Sequence, residues 1–210
     1  MSSTRIQDQR LIPRKLPKQS RSRDSVEAIL QAAAQVFERR GYAAGTTNRI
    51  AARAGVSIGT LYQYFPNKDA ILVALVREHL AEGIAALQPH LLSLREGARF
   101  DEVLPGIVEA MVSLHSTAPT LHRVLFEETQ LPRSLRAELE ALEDQLVELT
   151  ASALTADPDL RVGDTRLRAR VAVTTIEALT HRLVLRPPEG VSMTELASEI
   201  TRVVRVSMRP

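Results

Sequence analysis

The chain of 210 residues is long enough for one or two domains, and at this size about 70% of the unfolded surface can be buried without a metal or disulfide staple. It is 44% hydrophobic and 25% charged, as in an ordinary globular protein, and it has no cysteine. That excludes a disulfide framework, a thiolate nucleophile and a Cys-type zinc site. The formal net charge of +2 is unevenly divided: residues 1–70 hold 12 Lys/Arg against 5 Asp/Glu, and residues 71–210 hold 15 against 20. A basic segment joined to an acidic body suggests a polyanion-binding module beside a body with another task, or else a solvated basic tail. The longest apolar run, Ala70 to Val76, is seven residues, far short of the ~20 that a membrane-spanning helix needs. No apolar stretch of the secretory kind follows the basic N-terminus, so the expected location is cytoplasmic.

Residues 1–22 lack apolar periodicity, contain Pro13 and Pro17, and carry most of the N-terminal charge; they read as a flexible basic arm. Val26, Leu30, Ala33 and Phe37 then recur at helical spacing, with Asp24 and Glu27 placed as a capping-box variant and Gly41 as a terminator. Two short helical segments follow, Thr47–Ala54 and Ile58–Phe65, separated by Gly55-Val56-Ser57. Thr47 can cap the first and Ser57 the second. Asn67 is placed as the N-cap of a long apolar-periodic stretch ending near Pro89 to Arg95. Further helices fit at about 101–116, 119–129, 133–155, 164–186 and 192–208, broken at Pro119, Pro132, Pro158 with Gly163, and Pro187-Pro188 with Gly190. Sustained period-2 alternation and hairpin dipeptides are missing, so the expected fold class is all-α with about nine helices.

The informative stretch is residues 41–69. Ile50, Ala51, Ala54, Val56, Leu61 and Phe65 can pack two short helices together and onto the first helix, with Gly55 releasing the chain between them. Ile58, Gly59, Thr60, Tyr62 and Tyr64 are then left facing outward. An exposed helix with a small N-terminal turn can enter a major groove about 12 Å wide. The run Gly41-Tyr42, Thr46-Thr47, Ile50-Ala51, Ala54-Gly55-Val56-Ser57, Gly59-Thr60-Leu61-Tyr62, Tyr64-Phe65, Asn67-Lys68 and Leu72 closely resembles the helix-turn-helix domain of the TetR family of bacterial regulators. The resemblance covers roughly residues 24–75, with Tyr64 standing where the family usually has histidine. It implies that Asn48, Ile58, Gly59 and Thr60 face base edges, and that Thr47, Tyr62, Tyr64 and Lys68 grip the DNA backbone. For single side chains a plainer role stays open: Tyr62 as a packing residue, Lys68 as a surface lysine beside Asp69.

Other patterns carry less. Gly55-Val56-Ser57-Ile58-Gly59 satisfies the G-x-S-x-G pattern of serine hydrolases, but that elbow needs a strand entering it; Ser57 is better explained as a helix cap. Phosphate-binding glycine loops, HExxH and ExxH are missing, so no cofactor and no metal are expected. The histidines His79, His90, His115, His122 and His181 have no local metal-ligand spacing and read as surface or core-edge groups, or as polar groups lining an organic-ligand pocket.

By the resemblance, the C-terminal body binds a ligand and forms the dimer. Leu167, Val171, Thr174, Ala178 and Leu185 form one apolar stripe, and Met193, Leu196, Ala197, Ile200, Val203 and Val204 another. The two helices, about 164–186 and 192–208, can pair with a second copy as a four-helix bundle, or both stripes can face the chain's own core. Amphipathic phase suggests Met111, His115, His122, Phe126 and Thr175 as the lining of a pocket for a mostly apolar molecule with one polar end. The expected organisation is an arm (1–22), a helix-turn-helix domain (23–70) and a helical ligand-binding and dimerisation domain (71–210). The expected function is a homodimeric, sequence-specific transcriptional repressor, not an enzyme, that binds a near-palindromic DNA operator and is released by a small molecule. The rivals are a Ser57 hydrolase and a non-specific architectural DNA binder.

Overall fold

The structure is a computed structural model, which describes residues 20–157, 159–160 and 163–208, with side chains from residue 23. The basic arm expected over residues 1–22 lies outside the described residues, except that the backbone of Ser20–Ser22 already belongs to the first helix. The described residues hold nine helices and no strand. These are α1 (Ser20–Ala44), α2 (Thr47–Ala54), α3 (Ile58–Tyr64), α4 (Lys68–Arg95), α5 (Phe100–Thr117), α6 (Pro119–Phe126), α7 (Arg133–Ala156), α8 (Thr165–Leu185) and α9 (Met193–Ser207). None is long and apolar enough to cross a membrane.

Helix ends follow local chemistry, with some shifts from the sequence reading. Asp24 and Glu27 lie inside α1, not at a cap, because the helix begins at Ser20. The cap of α2 is Thr46 and not Thr47: its hydroxyl accepts the Arg49 N–H at 3.4 Å. Ser57 caps α3 as expected, accepting the Thr60 N–H at 3.0 Å. Asn67 accepts the Ala70 N–H at 2.8 Å at the start of α4. The helix expected over 119–129 stops at Phe126.

The chain divides into two compact units, one of residues up to Leu80 together with Thr120–Arg136, the other of Ala81–Pro119 and the residues from Ala137 onward. In the first unit, Ile29, Ala33 and Phe37 of α1 share a core with Ile50 and Ala51 of α2, Leu61 of α3, Phe65, and the Ala70–Val76 run of α4. Val124, Leu125 and Leu135 are buried in that same core, so residues 120–136 belong with the helix-turn-helix although they lie far along the chain. In the second unit, α5 packs against both α8 and α9, which also pack on each other. Its core includes Phe100, Leu104 and Val108 of α5, Ala172 and Ile176 of α8, and Leu196, Ala197, Ile200 and Val204 of α9. Most of the apolar stripe of α9 therefore faces the unit's own core, while Leu167 and Val171 of α8 and Val203 and Val206 of α9 stay exposed.

Pro105 sits inside α5. Lacking an N–H, it leaves the Asp101 carbonyl four residues back without its helical partner. Arg205 of α9 donates to that carbonyl at 3.2 Å and also to the Asp101 carboxylate. One side chain thus satisfies a carbonyl that the sequence itself orphans and ties α9 to α5. Replacing Arg205 by Ala is expected to destabilise the second unit by about 1–2 kcal/mol, allowing for its partial exposure. Urea denaturation checks this, and an unchanged midpoint would contradict it.

Candidate nucleic-acid interface

The interface is built on the crossing of α2 and α3. Gly55 ends α2 in the left-handed region (φ 68°, ψ 24°), and its N–H reaches back to the Ala51 and Ala52 carbonyls. A Cβ there would meet nothing within 4 Å, so glycine is required for its backbone conformation and not for space. Beyond the turn, Ser57 both caps α3 and pairs with the Thr60 hydroxyl at 2.8 Å. That hydroxyl is engaged in a helix start with helix on both sides, an arrangement unlike a nucleophile elbow.

Of the residues singled out in the sequence, Asn48, Ile58, Gly59 and Tyr62 are exposed, and Thr47, Thr60, Tyr64 and Lys68 are half-buried. The Thr47 hydroxyl lies 3.1 Å from the Tyr62 hydroxyl, which links α2 to α3 across the turn. Tyr64 packs against the unit's core. Lys68 donates to the Tyr42 carbonyl at 2.7 Å and sits 4.0 Å from the centre of the Tyr42 ring. Burial lowers the pKa of its ammonium, and the neighbouring Asp69 partly offsets this.

The segment from Gly41 to Gly45, at the kinked end of α1 and just before α2, is held from several sides. Gly41 breaks the helical backbone with φ 71°. A Cβ on it would approach Glu128 Oε2 to 3.0 Å, the same oxygen that accepts the Tyr42 N–H at 3.3 Å. The Glu128 carboxylate is paired in turn with Arg123. The Tyr42 hydroxyl donates to Asp69, and burial together with that carboxylate raises the phenol pKa well above its usual value. Arg49 donates to the Ala44 carbonyl at 2.6 Å. Carbonyls at the end of α1 are thus capped by basic side chains from α2 and α4. Sequence reading missed Tyr42, Asp69, Arg123 and Glu128 as supports. The adjacency of Lys68 and Asp69 was a usable signal, whereas Glu128 is 86 residues from Tyr42 and gave none.

The candidate ligand residues are contributed by both units. His122 and Phe126 stack in the first unit with ring centroids 4.6 Å apart, and His79 lies edge-on to His122 at 4.9 Å. Met111, His115 and Thr175 belong to the second unit. There His115 Nδ1 donates to the Met111 carbonyl at 2.6 Å, and the His181 ring centroid is 6.3 Å away. Burial lowers the His115 pKa, against a raising contribution from the Met111 carbonyl, while His181 lowers it further. None of these residues lines either of two surface clefts in the second unit. One, of about 460 Å³, is bordered by Arg99, Phe100, Asp101, Leu104, Asp159, Leu160, Arg205 and Met208; the other, of about 440 Å³, includes Leu94, Leu149 and Asp157.

Comparison with known proteins agrees with this geometry. A family model described as bacterial regulatory proteins of the tetR family matches residues 29–75. A second, described as the tetracyclin repressor-like C-terminal domain, matches residues 100–205, half of the chain. A fatty acid metabolism regulator protein of Bacillus subtilis is 34% identical over 86 residues, 41% of this chain and 43% of that protein. The transcriptional activator FasR of Mycolicibacterium smegmatis is 29% identical over 126 residues, 58% of this chain and 56% of its own. The chain thus matches about half the length of these curated relatives. Among solved structures, a TetR-like regulator from Rhodococcus sp. RHA1 has a TM-score of 0.68 at 24% identity, covering 91% of this chain and 97% of that one. The regulator FadR of Bacillus subtilis, solved with stearoyl-CoA, has a TM-score of 0.65 at 24% identity, covering 85% and 96%. With both halves of its architecture matched, the chain belongs to the TetR family of transcriptional regulators.

Proposed function

We propose that this regulator is a cytoplasmic, homodimeric repressor that binds a near-palindromic operator and is released by a small, mostly apolar ligand with one polar end. The observation that carries the DNA reading is α3 itself, with Ile58, Gly59 and Tyr62 exposed beside Asn48 of α2. In this reading Asn48, Ile58, Gly59 and Thr60 meet base edges, and Thr47, Tyr62, Tyr64 and Lys68 set the register on phosphates. The DNA-binding domain is residues 23–70 and the ligand-binding and dimerisation domain is residues 71–210, of which residues 71–80 and 120–136 pack with the helix-turn-helix core. The arm, residues 1–22, adds phosphate or minor-groove contacts.

Dimerisation is supported by the outer face of α8, where Leu167 is 60% and Val171 45% exposed and Thr174 and Ala178 are also exposed. Val203 and Val206 of α9 are exposed as well. Two copies joined there would carry two recognition helices, which suits a two-fold operator. The ligand class is supported by Met111, buried His115 and Thr175 in the second unit. It is also supported by the fatty-acid role in the name of one relative and the stearoyl-CoA bound to one structural neighbour. A ligand that favours one dimer geometry over another shifts DNA affinity by its differential binding alone.

Three outcomes are expected. Asn and Asp are both good N-caps, so Ser57→Asn and Ser57→Asp should melt alike. On DNA from upstream of the protein's own gene, fluorescence anisotropy should show the Asp variant binding at least about tenfold more weakly, because its charge approaches phosphates. Equal affinities would contradict the approach of α3 to DNA. Leu167→Asp combined with Val171→Asp should convert a dimer to a monomer in sedimentation equilibrium and weaken duplex binding with it; an unchanged mass would place the interface elsewhere. Palmitoyl-CoA at micromolar concentration should raise the Kd for the duplex several-fold. A lowered Kd, or expression of a reporter falling when the protein is removed, would contradict a ligand-released repressor.

A further inference from the structure

The reading above leaves one outward side chain of α3 unused. Ile58, Gly59, Tyr62 and Gln63 are exposed along this helix, Thr60 and Tyr64 are half-buried, and Leu61 is fully buried. At 3.6 residues per turn, Gly59 and Gln63 each stand about 160° around the helix from Leu61. They are the two positions most nearly opposite the buried anchor, one turn apart on the same face.

Helical side chains lean toward the N-terminus, so a residue covers the surface of the turn before it. The turn before Gln63 is Gly59, where a side chain is missing. A Cβ built there would meet only the Ser57 hydroxyl, at 3.7 Å. The helix therefore has a notch at its leading end, and the chain that leans across the notch ends in a carboxamide.

The chemistry of the neighbours narrows its use. Among the exposed positions of α3, Ile58 is apolar, Gly59 is bare, and Tyr62 has a hydroxyl placed against Thr47. The nearby guanidinium groups of Arg49 and Arg53 are engaged with the Ala44 carbonyl and the Gln35 side chain. Beside Asn48 of α2, Gln63 is the one residue of α3 whose side chain offers a donor and an acceptor in one plane. That pair matches adenine in the major groove, where N6–H donates and N7 accepts. The geometry points to Gln63 as a specificity-determining residue that reads one adenine in each half-site across the notch at Gly59. This rests on the DNA-binding reading above.

The test is selection from a pool of random 30-base-pair duplexes by the full chain, with wild type, Gln63→Ala and Gln63→Glu run in parallel. Wild type is expected to recover a two-fold motif with adenine fixed at one position per half-site. Gln63→Ala should lose that preference at that position alone, with discrimination there falling roughly tenfold or more. Gln63→Glu should replace the adenine by cytosine, whose N4 amino group donates to a carboxylate. In the wild-type motif, 7-deazaadenine at that position should weaken binding by wild type and leave Gln63→Ala unaffected. The same motif from wild type and Gln63→Ala, or equal sensitivity of both to the N7 deletion, would overturn the assignment and leave the regulator intact. A wild-type pool without any preferred sequence would overturn both.

Discussion

The whole helix-turn-helix depends on the burial of Leu61 and Phe65 beneath a helix of seven residues. A helix this short does not form by itself, because nucleation alone costs about 4 kcal/mol at a nucleation constant near 10⁻³. Burying one leucine and one phenylalanine contributes roughly 3–6 kcal/mol, enough to offset that cost only when the core of α1, α2 and α4 is already in place. Ile50, Ala51 and Phe37 supply that core. The left-handed turn at Gly55 aims α3, and the Thr47–Tyr62 hydroxyl contact fixes it to α2. Having spent its inner side on packing, the helix keeps Gly59 and Gln63 on the opposite one.

Backbone groups that the sequence leaves without local partners are completed by side chains from elsewhere within each unit. In the first, the end of α1 is broken at Gly41, and Glu128, Lys68 and Arg49 satisfy the exposed N–H and carbonyl groups around it. Fully made, such a polar network fixes one geometry, since an unpaired group in partly buried surroundings is costly. Glu128 belongs to the stretch of residues 120–136, which the chain reaches only after α5. In the second unit, Arg205 completes the carbonyl orphaned by Pro105.

What the sequence made legible is what local spacing encodes. Two short helices around Gly55, the caps at Ser57 and Asn67, and the number and order of helices all follow from patterns a few residues long. Three things were hidden because they depend on long-range packing. By spacing alone the stripe of α9 suits either a dimer surface or a core face, and only packing shows that Leu196, Ala197, Ile200 and Val204 serve the unit's own core. Glu128 had no neighbour in sequence to announce its contact with Tyr42. Gln63 stood out only once the phase of α3 relative to Leu61 was known, because periodicity across seven residues is too brief to distinguish the outermost position from a flank.

The proposed function requires two copies of α3 to read two half-sites of one duplex. Hydroxyl-radical footprinting of the wild-type protein on its preferred duplex at ~150 mM salt tests it most directly. The account predicts two protected patches related by two-fold symmetry, centred about one helical turn or a whole multiple of it apart on one face of the DNA. Protection spread evenly along the duplex, and equally strong on a scrambled sequence, would contradict it and mark the protein as a non-specific binder.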